Sequence, residues 1–470
     1  MFHQKLTILE EKRAGFQPLP SGESPFASSS MFKVQDPDSK PKAKPCDRHF
    51  RTNPGLSILK ASARVKTPSK TISLGTGRPA SEFYPWESID IHGKTGSMSC
   101  TTGESAYDFA MAMGYGYAAG SPQLLRFVTE HIELIHNPPY RDWECCLTSG
   151  TTAAIDIAFR IFCVRGDSIL VEDRTYSGTM DIAKAHGLKL VGVRMDDFGL
   201  VPEDLDRKLR TWNGSDKPRV LYMIPSGHNP TATTQSTERR KAIYEVAERH
   251  DLFIIEDDPY YFLQLGKGDF SDAPDEYLSR LPVSYLSLDV SGRVLRLDST
   301  SKILAPGLRC GWLTACSQAV ERILAYTEIS TVEPSGVSQV MLYKLLEECW
   351  GHEGFINWLS RLSHRYTQRR NVLLGACERH LSDVCQWSIP TEGMFLWIKL
   401  DVSDPDIEDE IYVKSKENGV LVSKGSWFSV SEDTDGVHFR FTFAAAAQDD
   451  LDEAVSRFGD IVRNCLRRTT

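Results

Sequence analysis

Nowhere in this chain do two cysteines stand in a Cys-x-x-Cys spacing. Its eleven cysteines, the adjacent Cys145 and Cys146 included, are scattered, so spacing supports neither a zinc site nor a disulfide framework, and the thiols read as reduced. No window has the unbroken apolar length of a membrane span. Residues 1–15 mix charge with apolarity and lack the continuous apolar core of a signal peptide. A cytoplasmic protein without a membrane partner is the expectation. Long basic runs are missing too, and the formal charge is −9, which argues against nucleic acid as a partner.

What is present is the composition of a globular protein, with 41% apolar and 25% charged residues. A length of 470 residues predicts two domains, one of them large. Residues 16–51 are rich in Ser, Pro, Lys and Asp, and a partly ordered N-terminal arm is expected over 1–56. A segment over 57–95 then leads into a large domain over 96–345 and a smaller one over 346–470.

The chain is organised around Arg296 to Trp312. A short apolar strand runs into Ser299-Thr300-Ser301-Lys302, and Pro306 and Gly307 forbid a regular helix after it. A lone loop lysine is usually a solvated charge. Here hydroxyls precede Lys302 and Arg309 follows, a grouping suited to a phosphorylated cofactor bearing an aldehyde, with lysine as imine partner.

Upstream, Gly75 and Gly77 allow either a tight turn or close approach to a ligand. The Tyr115 to Pro122 stretch has the wrong glycine spacing for a dinucleotide fingerprint, and no strand precedes it. From Cys145 onward, apolar strands alternate with helix-spaced segments. Gly150-Thr151-Thr152 opens a helix, where the two hydroxyls are either a plain cap or part of an anion site. Tyr176 is the one aromatic in a polar loop. Val220 to Ile224 empties into Asn229-Pro230-Thr231. Leu252 to Ile255 ends in Asp257-Asp258-Pro259-Tyr260, where an acid pair could be a solvated strand end or an inward-turned carboxylate. This is the doubly wound pattern, with ligands beyond the carboxyl ends of parallel strands. The last hundred residues read as an α+β domain with strands over 393–400, 420–422 and 438–443. Arg440 lies inside the last of these, and an arginine there needs an anion: a structural acid, or a substrate carboxylate.

Taken in order, Gly150-Thr151-Thr152, Tyr176, Asn229-Pro230-Thr231, Asp257-Asp258-Pro259-Tyr260, Ser299-Thr300-Ser301-Lys302, Arg309 and Arg440 resemble the fold type I aminotransferases that use pyridoxal 5'-phosphate (PLP). The likeness is to the kynurenine/α-aminoadipate and fungal aromatic amino acid branch, from about residue 57 onward. It implies an α/β fold, with a large domain of mostly parallel sheet flanked by helices and a smaller α+β domain. It also implies that Lys302 binds the cofactor aldehyde and moves the substrate proton. Asp257 would pair with the ring nitrogen, Tyr260 and Asn229 with the ring oxygen, and Tyr176 with the ring face. Thr151, Thr152, Ser299, Ser301 and Arg309 would hold the phosphate. Arg440 and Asn229 would meet the substrate, with Gly77 at the rim and Tyr115 reaching across a homodimer with shared active sites. No metal is implied.

The implied activity moves the α-amino group of Phe, Tyr or Trp to a 2-oxo acid such as 2-oxoglutarate in two half-reactions, in primary or fungal secondary metabolism. Rivals on the same scaffold are a kynurenine/α-aminoadipate preference and a C–S lyase. A DNA-binding regulator with such an effector domain would need helices and a basic face within 1–56, and the sequence predicts neither. Two departures from the family's pattern stand out: Ala232 where glycine usually follows Asn-Pro-Thr, and Thr151-Thr152 where Ser with Gln or Asn is usual.

Overall fold

Runs such as Leu252 to Ile255 and Val294 to Leu297 hardly alternate between apolar and polar, so they need cover on both faces. Both are buried along their whole length in the computed structural model. It describes residues 2–15, 18–20, 25–35, 37–53, 55, 77–94, 96–266, 274–400, 402, 406–431 and 436–469. Much of the expected 57–95 segment, with Gly75, lies outside the described residues. The chain divides into two compact units, Met1–Val164 with Ser284–Ile356, and Arg165–Val283 with Asn357–Thr470.

In the first unit, strand Gly311–Cys316 pairs antiparallel with Val294–Ser299 on one side and Trp143–Thr148 on the other. Helix Pro122–Ile135 is capped by Ser121, whose side chain accepts from the Leu124 amide, and Pro122 suits the first turn. Helix Thr151–Phe162 follows its strand after a two-residue turn.

The N-terminal arm differs from expectation, because Phe2–Ala14 is helical. Its sequence carries little amphipathic signal. The helix is held by tertiary contacts instead: Phe2 and Leu9 are buried, and Arg13 donates from Nε to Glu130 and from Nη1 to Glu347, each at 2.8 Å. Partners more than a hundred residues away are invisible to local pattern reading.

The second unit holds four parallel strands in the spatial order Phe253–Asp257, Val220–Met223, Ser168–Glu172, Lys189–Val193. Helices Ser177–His186, Pro202–Arg210 and Thr237–His250 connect them. The same unit carries a separate antiparallel sheet in the order Cys385–Trp387, Phe395–Leu400, Val437–Thr442, Ser423–Lys424. The strand expected over 420–422 is displaced to Ser423–Lys424. Gly419 turns left-handed after helix Asp406–Glu417, and the Val420 amide bonds back to Ser415 O, so 420 still belongs to the helix cap. The fold class is the expected one: α/β with a mostly parallel sheet flanked by helices, and a separate smaller sheet. Among the described residues, no helix is long and apolar enough to cross a membrane.

Candidate active site

In the first unit the strand Val294–Ser299 delivers a turn that is fixed from both ends. Thr300 Oγ1 donates to Cys310 O at 2.6 Å, and the Ser301 amide donates to Ser299 Oγ at 3.1 Å. Leu304 N bonds to Thr300 O, so Lys302 sits inside a closed turn. Pro306–Leu308 forms a single 3-10 turn, and Arg309 takes a left-handed conformation, φ 44°. That conformation brings its guanidinium back over the turn: Nη1 donates to Pro306 O at 3.0 Å and to Ser301 Oγ at 3.5 Å, and Nη2 to Ser149 O at 3.4 Å.

Ser149 precedes the start of helix Thr151–Phe162. The residue in the cap position is Gly150, at φ 90°, which has no side chain to satisfy the first helical amides. A Cβ at Gly150 would lie 2.5 Å from Arg309 Nη2. An uncapped helix start, an arginine against it and nearby serine hydroxyls form an anion cradle that a larger residue would fill. Thr151, Thr152, Ser299, Ser301, Lys302 and Arg309 thus belong to one neighbourhood. Gly77 and Tyr115 are exposed: among the described residues nothing lies within 4 Å of a Cβ placed on Gly77, and Tyr115 is 57% accessible.

In the second unit Asp257 ends its parallel strand, almost wholly buried. Its Oδ2 accepts from Tyr222 OH at 2.6 Å. Tyr260 is buried, packed edge-on to Phe395. Burial first, then the charge of Asp257, pushes its phenol well above the ordinary range, with Arg440 and a bond to Asn229 opposing. Arg440 donates from Nη1 to Asn229 Oδ1 at 2.7 Å and from Nη2 to Ser423 Oγ at 3.1 Å. Its guanidinium lies between the rings of Phe395 and Phe428, and its buried Nε has no hydrogen-bond partner among the described residues. Among the described residues no carboxylate bonds to it. Burial lowers its pKa, against the pull of Tyr260 and Tyr176. The Tyr176 ring lies against Gly178, where a Cβ would come within 2.7 Å of the phenol.

Several supporting residues escape sequence reading. Glu172, at the end of its strand, accepts from the Ile224 amide and bonds to His228 Nε2, each at 2.9 Å, pinning the loop that carries Asn229. Ala232 occupies a left-handed conformation, φ 59°, the one that favours glycine, so this departure changes the residue and keeps the turn. Tyr222 carried a usable signal: a polar handle inside an apolar strand needs a partner, just as Arg440 did.

The fold and its likeness to known proteins make the chain a PLP-dependent aminotransferase. Residues 95–458 match the family model for aminotransferase class I and II, and the chain belongs to that family. It is 51% identical over 444 residues to the aminotransferase swnA of Arthroderma benhamiae, covering 88% of this chain and 90% of that one. An aromatic amino acid aminotransferase of Schizosaccharomyces pombe is 39% identical over 450 residues, covering 87% and 95%. The crystal structure of aminotransferase Aro8 from Candida albicans superposes with a TM-score of 0.84 at 34% identity, covering 90% of this chain and 99% of that one.

Proposed function

We propose that this aminotransferase takes the α-amino group from an aromatic L-amino acid and delivers it to a 2-oxo acid such as 2-oxoglutarate, acting as a cytoplasmic homodimer. The observation that carries the reading is Arg440, a guanidinium stacked between two phenylalanines with a buried N–H left for an anion. The aromatic preference is supported by the S. pombe relative's name. A kynurenine/α-aminoadipate aminotransferase of Rattus norvegicus, 33% identical over 428 residues, makes kynurenine the second donor to test.

The residues fit PLP. Thr151, the Thr152 amide, Ser299, Ser301 and Arg309 would hold its phosphate, Asp257 its ring nitrogen, Asn229 and Tyr260 its ring oxygen, and Tyr176 its face. Bound PLP supplies the electron sink that lets the Cα–H bond of an amino acid break. Lys302 Nζ then takes that proton and returns it. Asp257 keeps the ring nitrogen protonated. Arg440 would hold the substrate carboxylate and so orient its Cα. Tyr260, buried and held protonated, donates its O–H.

Purified enzyme with phenylalanine and 2-oxoglutarate should form glutamate one-for-one with the arylpyruvate. Lys302→Ala should abolish turnover and change the visible imine band. Pyruvate and ammonia from a cysteine conjugate, with no glutamate, would instead establish the C–S lyase reading. A band unmoved by Phe, Tyr, Trp and kynurenine would overturn the donor class.

A further inference from the structure

Tyr222 sits in the strand Val220–Met223, buried throughout, where the packing asks only for an apolar side chain. A phenol there must desolvate its hydroxyl, which is tolerated only with a partner. The partner is an ionisable group. In the register of the two parallel strands Tyr222 stands opposite Ile255, two residues before Asp257. Tyr222 OH donates to Asp257 Oδ2 at 2.6 Å, the length of a bond to a charged acceptor. We infer that Tyr222 is a positioning residue for transamination: its hydroxyl fixes the rotation of the Asp257 carboxylate and weakens that carboxylate as a base. The ring-nitrogen proton of the cofactor then stays on nitrogen. The inference rests on the reading that Asp257 faces that nitrogen.

The surroundings favour this direction of donation. Burial first, then the charge of Asp257, raises the phenol well above its ordinary range, so it keeps its proton to give. The other carboxylate facing it, Glu172, has its Oε2 taken by the Ile224 amide and His228. From helix Ser177–His186 the neighbour is the uncharged Thr179. Tyr260, also buried, faces Asp257 from the following loop. A carboxylate that loses a hydrogen-bond donor becomes a stronger base. Tyr222→Phe keeps the ring and removes only the hydroxyl, so in that variant Asp257 competes better for the shared proton.

The test uses holoenzyme reconstituted with PLP isotopically labelled at the ring nitrogen. Wild type should give the resonance of a protonated pyridine. In Tyr222→Phe the signal should move toward the unprotonated position, and the PLP dissociation constant should rise roughly tenfold. If the Phe variant fails to fold, a difluorotyrosine in place of Tyr222, a stronger donor of the same shape, should tighten PLP. An unchanged nitrogen signal and unchanged affinity, in a wild type that binds PLP, would show that Tyr222 only fills space. A wild type that takes up no PLP would overturn the cofactor reading itself, and this inference with it.

Discussion

Arg440 donates from Nη1 to Asn229 Oδ1 across 2.7 Å, while its guanidinium lies 4.5 Å from the Phe395 ring centroid and 4.8 Å from that of Phe428. The clamp fixes the plane of the fork before any ligand arrives. That preorganisation is specific to a planar cation, since a lysine ammonium can neither fill the slot between two rings nor present a fork. Arg440→Lys should therefore lower kcat/KM for the amino donor about 100-fold, ~3 kcal/mol, with the cofactor spectrum unchanged. Steady-state kinetics at saturating PLP checks this. A kcat/KM within twofold of wild type would remove Arg440 from the carboxylate site.

Gly150 and Arg309 give a prediction about the cofactor alone. A methyl at Gly150 would stand 2.5 Å from Arg309 Nη2, on a backbone at φ 90°. A flexible side-chain end yields more readily than backbone, so the guanidinium should swing away. Gly150→Ala should thus weaken PLP roughly tenfold, with a further cost of ~1–2 kcal/mol from the left-handed backbone. Arg309→Ala should weaken PLP as well. Because both changes act through one guanidinium, the double variant should show less than the sum, measured by PLP titration of the apoenzymes.

The residues around Lys302 could be read from sequence because their constraints are local. Pro306 and Gly307 end regular structure within a few positions of the lysine, and Asp257 follows directly from an apolar strand. Their supports could not be read that way. Tyr222 and Asp257 are 35 residues apart, and His228 meets Glu172 across 56. Such pairs are set by strand order, which local periodicity does not encode. The same limit hid the first helix, whose stability comes from Glu130 and Glu347.

That helix can be tested through Arg13. Glu130 is buried and also bonds to His352 Nε2 at 3.0 Å. Burial pushes this carboxyl up, but Arg13 and His352 outweigh it and hold it below the ordinary range. Arg13→Ala leaves the buried Glu130 carboxylate with His352 as its charged partner and should cost ~3 kcal/mol. Limited proteolysis should then cut within residues 2–14 while the rest of the chain resists. Equal protection in both proteins would mean that Phe2 and Leu9 alone dock the helix.

The last prediction concerns Glu392, which is buried beside Gly393, where the chain touches Gly227 closely enough that a Cβ on either would collide. Arg240 is the cation of the cluster, its Nη1 3.7 Å from Asp258 Oδ2 and 4.0 Å from Glu256 Oε1, both buried acids. One arginine cannot neutralise three carboxylates. Glu392 is the one that stays protonated: burial first, then Asp258, pushes its pKa from the ordinary 4.5 to about 8, with Arg240, Gln264 and Ser226 opposing. In the window between those two values the folded chain holds a proton that the unfolded chain has released, so the folded state loses stability as pH rises through it. Glu392→Gln, neutral at every pH and nearly the same shape, removes that slope. Its melting temperature should match wild type at low pH and exceed it at pH about 9. The gain should vanish again in Glu392→Gln carrying Arg240→Met, because Asp258 and Glu256 then lose the Arg240 guanidinium beside them. Parallel melting curves for wild type and Glu392→Gln across the window would show that Glu392 is charged in the fold.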